Sequence, residues 1–386
     1  MRVLYFVFLL FRIILIVVIS VLIYPYVQSR HYQFPEPAPF TGNSIYNPYG
    51  EMSGKWLKAN FHAHTRAWGG LTNGKQTSKE ITDFYKGQLH YDIACISNYE
   101  SIDPYLPVED PRFIPVYEHG LNPFKTHQLV IGAKKPDYYE MMLGQSRDNK
   151  QYILERLSEQ APFVTLNHPT MRDSYSGSDL RYLSGYDLIE VFNNPRDAQE
   201  KWDAALSSGK LCWALGDDDT HDITRDYEVG KSWTMINATS DKAEDVYSAL
   251  KRGSIYAAKG NGAVNAHQLT EVKVNGNDIM IRLDGKADEI RLIGQNGQTR
   301  KTVNATDSIA YTFVPEDSYI RAVIIYKDLT ICLNPFLRYT SGELPVNKMT
   351  AVYAPVKTTL FRILFIGIWV LTWFLLFKPG RLFRKR

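Results

Sequence analysis

The sequence predicts an α/β core, either a barrel or a doubly wound parallel sheet. A small antiparallel β-sandwich follows it, and two transmembrane helices flank the whole. Three observations carry this. Short apolar runs alternate with amphipathic segments from Lys55 to about Gly260, the pattern of parallel strands covered on both faces by helices. Beyond that point the helical pattern stops, and residues 261–347 give alternating runs divided by turn residues such as Asn275-Gly276 and Asn296-Gly297, which reads as an antiparallel sandwich. The ends, residues 3–27 and 358–377, are apolar, each long enough to cross ~30 Å of hydrocarbon.

Residues 3–27 hold one charge, Arg12, and no small-residue cleavage site follows them, so an uncleaved anchor fits better than a signal peptide. Residues 28–54 are rich in Pro, Tyr, Asn and Gly without periodicity and read as a linker. Within the core, 55–260, the strand candidates are 56–65, 91–97, 112–118, 127–133, 162–168, 186–192, 211–217 and 232–238. Helix candidates are 78–88, 149–160, 196–209 and 241–253. No GxGxxG or P-loop follows the first run, which weighs against a nucleotide-binding fold. The tail 378–386 packs five basic residues into nine, as cytoplasmic flanks do. Both termini are therefore expected in the cytoplasm of a two-pass cell-membrane protein, with the core outside.

The 386 residues carry a formal charge of +3, of which +8 sits in the two ends, so residues 28–357 carry −5. That middle lacks the basic stripe of a nucleic-acid binder. Three widely spaced cysteines, Cys95, Cys212 and Cys332, exclude a disulfide framework and read as buried thiols.

The placement of the nine histidines is the informative feature. His62 and His64 close the first apolar run as His-x-His, and alternate positions of a strand point the same way. Glu118, His127, His168, Glu190, Asp219 and His221 lie at or near the ends of later runs. Imidazole and carboxylate donors without thiolate suit divalent Zn, Mn or Fe. The metal candidates are His62, His64, Glu118, His127, His168, Asp219 and His221. His168 and His221 are also candidates to protonate a leaving group. Arg66 and Arg172 follow ligand motifs in loops, where a guanidinium fork would hold a phosphoryl group. A part for Glu190, Asp217 or Tyr99 stays open. His119 is set aside, because it alternates with Glu118.

These residues resemble the PHP (polymerase and histidinol phosphatase) superfamily of metal-dependent hydrolases over roughly residues 55–260. Phe61-His62-Ala63-His64-Thr65 is similar to its first motif, and Ile114-Pro115-Val116-Tyr117-Glu118 to the segment ending in a metal-bridging glutamate. His127 matches a further ligand, Asn167-His168-Pro169 the His-Pro motif, and Asp218-Asp219-Thr220-His221 the closing Asp-x-His. Residues 250–262 and the β module resemble the branch that includes carbaryl hydrolase. The resemblance implies a distorted seven-stranded (β/α) barrel, bound metal ions and phosphoester or other ester hydrolysis. Where the family has Thr-Asp-His, this chain has Ser97-Asn98-Tyr99. A phenol with an ordinary pKa of ~10 is a poor ligand at neutral pH, so two ions rather than three are expected. The expected function is a membrane-anchored hydrolase acting on a small-molecule or cell-surface phosphoester. The alternative is a degenerate barrel that binds metal or ligand without turnover.

Overall fold

The computed structural model describes residues 2–52, 55–72, 74–261, 269–340 and 350–378. The basic tail from residue 379 onward and the junction 262–268, expected to open the β module, lie outside the described residues.

The architecture of the described residues is mixed α/β with seven α-helices. Helix α1 covers Arg2–Gln28 and α7 covers Pro355–Phe377, and each is long and apolar enough to cross a membrane. They pack side by side, with the Tyr26 and Phe365 rings 5.6 Å apart and Trp369 Nε1 donating to Ser20 Oγ at 2.7 Å. Residues 28–54 are bound to the body: Tyr32–Gln33 pairs with Val352–Tyr353, and Ser44–Tyr46 with Phe336–Tyr339.

In chain order the strands that position the site are β1 (Lys55–Asn60), β2 (Ile93–Ala94), β3 (Val116–His119), β4 (Gln128–Ile131), β5 (Phe163–Leu166), β6 (Leu188–Asn193) and β7 (Trp213–Asp217). They are followed by β8 (Ser232–Ala238) and β9 (Ile255–Gly260). Helices α2 (Ser78–Gly87), α3 (Arg147–Ser158), α4 (Gly177–Tyr182), α5 (Gln199–Leu206) and α6 (Ala243–Arg252) lie between them. Thr77 and Glu80 cap α2, and Ser146 and Asn149 cap α3, each pair bonding reciprocally.

One sheet runs β7-β6-β5-β4-β3. Its β7/β6 and β6/β5 pairs are parallel, as the alternating pattern predicts, but β4 is antiparallel to both neighbours. Only eight residues separate β3 from β4, too few for the crossover that parallel pairing needs. The second sheet contains β2-β1-β8-β9 and continues into β14 (Leu329–Leu333), β13 (Tyr319–Tyr326), β11 (Asp278–Gly294) and β10 (Leu269–Asn275), with β12 (Gln298–Thr312) on β11. The region expected to be a separate sandwich therefore extends a sheet of the core through the β9/β14 ladder. Among the described residues the two sheets do not close into one hydrogen-bonded barrel. Isolated bridges, Ala63–Thr220 and Tyr99–Glu118, join their ends. Elsewhere β7 lies against β8 and β9, where a Cβ on Gly216 would stand 2.5 Å from Trp233 O. A side chain there would force the sheets apart.

The core fills with Leu, Ile, Val and aromatic side chains from both sheets and the covering helices. All three cysteines are buried and free, as expected.

Candidate metal centre

Every metal candidate lies at one end of the strands. His62 and His64 follow β1, Glu118 is in β3, His168 follows β5, and Asp219 and His221 follow β7. His127 precedes β4, and the antiparallel direction of β4 brings its beginning to the same end. The hairpin between β3 and β4 is tight at this point. Gly120, at φ 117°, leaves room where a Cβ would stand 2.7 Å from His127 Cδ2.

The seven residues form three linked clusters: His62, His64 and Glu118; His64, Asp219 and His221; and Glu118, His127 and His168. Donor atoms within each cluster lie within 4.8 Å of one another. His64 and Glu118 each belong to two of them. Glu118 Oε1 is 2.9 Å from His127 Nδ1 and 3.3 Å from His168 Nε2, and Glu118 Oε2 is 3.2 Å from His64 Nε2. Asp219 Oδ1 lies 3.2 Å from His62 Nε2 and 3.3 Å from His64 Nε2. Both Asp219, at φ 54°, and His168, at φ 29°, take left-handed backbone to reach these positions, a local cost of the kind found at functional sites.

The donor set fits divalent cations. Two buried carboxylate oxygens that face the cluster, Glu118 Oε2 and Asp219 Oδ1, have no hydrogen-bond partner among the described residues, and a buried polar atom left so costs about 1–3 kcal/mol. The charge balance agrees. Burial works against charge on His62, but Asp219, Glu190 and Glu118 outweigh it and hold the ring well above the usual histidine range. Burial likewise opposes the charge on Glu118, yet His127 and His62 hold its carboxyl well below the usual range. Asp219 is lowered in the same way, chiefly by His62 and His64 against its burial. Burial together with His64 lowers His221 to about 4.

Residues beyond the seven orient the site. Glu190 lies mid-strand in β6. Its Oε1 accepts from His62 Nδ1 at 2.6 Å, and its Oε2 accepts from His168 N at 2.7 Å and Asn193 Nδ2 at 2.9 Å. A carboxylate on Nδ1 fixes the tautomer that leaves Nε2 free for an ion. Asp217 Oδ1 accepts from Phe61 N at 2.6 Å and so pins the start of the His-x-His loop. Ser97 Oγ accepts from Ala63 N at 3.1 Å, and Asn98 Oδ1 from Thr65 N at 2.8 Å. Both residues therefore clamp that loop and stay outside the clusters. Asn167, missed in the sequence, donates from Nδ2 to Glu118 Oε1 at 3.0 Å. The Asn-His-Pro context was its signal.

Tyr99 is in the site, packed among the ligands by its ring. Its ring stacks on His64 at 4.6 Å and meets His127 edge-on at 5.6 Å. Burial, then Glu118 and Asp219, push its hydroxyl well above the usual range in the metal-free cluster. The two arginines are not brought in. Arg66 is exposed, and exposed Arg172 donates from Nη1 to Pro123 O. His119 faces away, with Nδ1 2.8 Å from Gln128 Oε1 and Nε2 2.8 Å from Tyr139 O.

Replacing Glu190 with glutamine is expected to lower metal affinity about 10- to 100-fold, the usual cost of losing a carboxylate behind a ligating histidine. Competition of the purified protein with a fluorescent chelator measures it, and unchanged affinity would remove Glu190 from the site.

No protein family matches this sequence, and no curated protein matches it either. Among solved structures, the chain is similar to a two-domain protein from Bacteroides vulgatus ATCC 8482 described as containing a predicted PHP-like metal-dependent phosphoesterase. Sequence identity is 11% and the TM-score 0.39, over 83% of this chain and 98% of that one. That likeness is too distant to speak for the site's chemistry.

Proposed function

We propose that the protein is a membrane-anchored, metal-dependent hydrolase, acting most naturally on phosphoesters, with α1 and α7 as its anchors and the cluster outside the cell. The observation that carries this reading is the linkage of three His/carboxylate clusters through shared His64 and Glu118. Adjacent sites with common ligands suit ions acting together on one ester group. When bound, such ions supply Lewis-acid chemistry, acidifying a water and neutralising charge on the ester oxygens.

The chain's own residues set up that chemistry. His62, His64 and Glu118 would hold one ion, with His64, Asp219 and His221 or Glu118, His127 and His168 holding another. Glu190 keeps the His62 proton on Nδ1. His221, lowered to about 4 by burial and His64 in the metal-free site, is neutral at pH 7 and so available as a ligand. Arg66 and Arg172 are exposed and Arg172 is bonded to Pro123 O, so neutralisation falls first to the ions and the buried histidines. One observation favours the second reading, binding without turnover: the flat stacking of Tyr99 on His64 fills space beside the cluster.

The experiment is metal analysis of the full chain in detergent, followed by hydrolysis of bis(4-nitrophenyl) phosphate before and after chelation. Bound Zn, Mn or Fe with chelator-sensitive turnover supports the hydrolase. Bound metal without turnover of this or a phosphomonoester favours the second reading, and absence of metal defeats both.

The pH dependence follows from the metal-free charges. His62 and His64 are raised above the usual histidine range, each against its burial, by the surrounding carboxylates. They hold protons near neutrality that an ion must displace. Metal binding should therefore release protons and weaken as pH falls. Calorimetry in buffers of different ionisation enthalpy reads this directly; buffer-independent heats would contradict it.

A further inference from the structure

We propose that the loops at residues 120–126 and 137–145 form a surface that rests in the interface of the bilayer holding α1 and α7, setting the mouth of the metal cluster at lipid-headgroup depth. The proposal rests on the membrane-anchored reading and deepens it by naming what the site faces.

The direction in which α1 leaves the body comes first. Only residues 159–162 separate α3 from β5. The last turn of α3 therefore lies beside the start of β5, and its first turn lies at the ligand end of the sheet. Arg30 pairs with Glu155, in the second half of α3. Ser29 Oγ accepts from Asn149 Nδ2, in its first turn, at 3.0 Å. Tyr26 OH donates to Gly144 O, before the helix begins, at 2.8 Å. Tyr32 N likewise donates to Asp148 Oδ1, in the first turn, at 2.6 Å, so the segment just after α1 lies along α3 and reaches its N-terminal turn, and Tyr26, within α1, meets the loop before it. The anchor thus departs on the side where the metal ligands are.

The same loops join the anchor to the cluster. Leu143 N donates to Tyr26 OH at 2.9 Å, and Tyr139 OH donates to Pro25 O. On the other side, Tyr139 O lies 2.8 Å from His119 Nε2, and Leu121 N donates to Glu140 Oε2 at 2.6 Å. His119 and Leu121 flank the turn at Gly120 that packs on His127.

These loops also expose what a bilayer interface accepts. Leu121, Phe124, Tyr138, Met142 and Leu143 are between 39% and 67% exposed. Phe124 lies beside Gly144, 3.5 Å from the position of a Cβ there, which draws the two loops together. Large apolar residues gathered on adjacent loops mark an interaction surface. Continuity with α1 identifies the partner as lipid. A 27-residue helix is about 40 Å long and exceeds ~30 Å of hydrocarbon, so Tyr24 and Tyr26 in its last turns fall at the interface, where such rings concentrate. Leu143 is bonded to one of them.

The test uses the full chain in phosphatidylcholine–phosphatidylglycerol vesicles with one introduced cysteine at a time. The native cysteines are buried, so an exposed introduced thiol is labelled selectively with an environment-sensitive nitrobenzoxadiazole. The variants are Leu143→Cys on the proposed surface, Ile14→Cys within α1, and Val108→Cys on the segment leading into β3, at the opposite end of the sheet. Spin-labelled lipids should quench Ile14→Cys most from deep positions and Leu143→Cys most from positions near the headgroup, leaving Val108→Cys unquenched. If Ile14→Cys is quenched while Leu143→Cys behaves like Val108→Cys, the docking surface is wrong and the anchors stand. If Ile14→Cys is also unquenched, the anchored reading fails and takes this proposal with it.

Discussion

Glu118→Gln lowers divalent-metal affinity by more than about 100-fold and removes hydrolysis with it. The figure exceeds the ~10–100-fold cost of losing a group that only orients a ligand, because Glu118 contributes donors to two of the three clusters. Glutamine keeps the volume and the acceptor that Asn167 Nδ2 uses, so the loss is one of charge and coordination. It also leaves the buried histidines around it without their carboxylate counter-charge. Chelator competition and metal analysis read the affinity, and circular dichroism of the metal-free variant shows that the fold persists. A variant with normal metal content and turnover would place the chemistry elsewhere.

The second large effect concerns stability. Asp203, in α5, receives Arg321 of β13 through two parallel bonds, Nε to Oδ1 at 2.7 Å and Nη2 to Oδ2 at 2.6 Å. Tyr319 OH donates to the same Oδ1 at 2.9 Å. All three residues are buried. Asp203→Ala leaves a guanidinium in the interior without its partner and should cost about 3–5 kcal/mol. Because the pair ties a core helix to the later antiparallel strands, both parts should unfold together. Replacing both partners with apolar residues of similar volume should restore most of the loss. Chemical denaturation of the full chain measures each variant. A cost below ~1 kcal/mol would mean that water reaches the pair.

Much of the core was legible because its strands are buried on both faces and so read as uninterrupted apolar runs: residues 162–168 and 211–217 each contain an observed strand, and 186–192 covers all but the last residue of another. The helices between them followed from amphipathic spacing, apart from α4, whose six residues are too short for a period to register. The antiparallel β4 was missed although the short connection from β3 argues for it. The later strands were harder. Asp284-Gly285 reads as a turn, yet it lies inside the 17-residue β11, where the register with β12 shifts between Arg282 and Ala287. Glycine marks a bulge there.

The candidate site was legible for a related reason. Ligands at strand ends sit next to apolar runs and stand out by type. Glu190 remained open because its neighbours in β6 are apolar and a single carboxylate among them has no periodic partner; only the fold brings it to His62. Arg66 and Arg172 failed in the opposite way. Their place in sequence, close after ligand motifs, said nothing about where a long side chain on an exposed loop would point.

The most direct measurement is an anomalous-scattering map from crystals of the full chain grown with Mn or Zn, collected at the metal's absorption edge. The account predicts peaks within coordination distance of His62, His64, Glu118 and Asp219, with Glu190 still on His62 Nδ1. Ions bound elsewhere while this cluster holds none would contradict it.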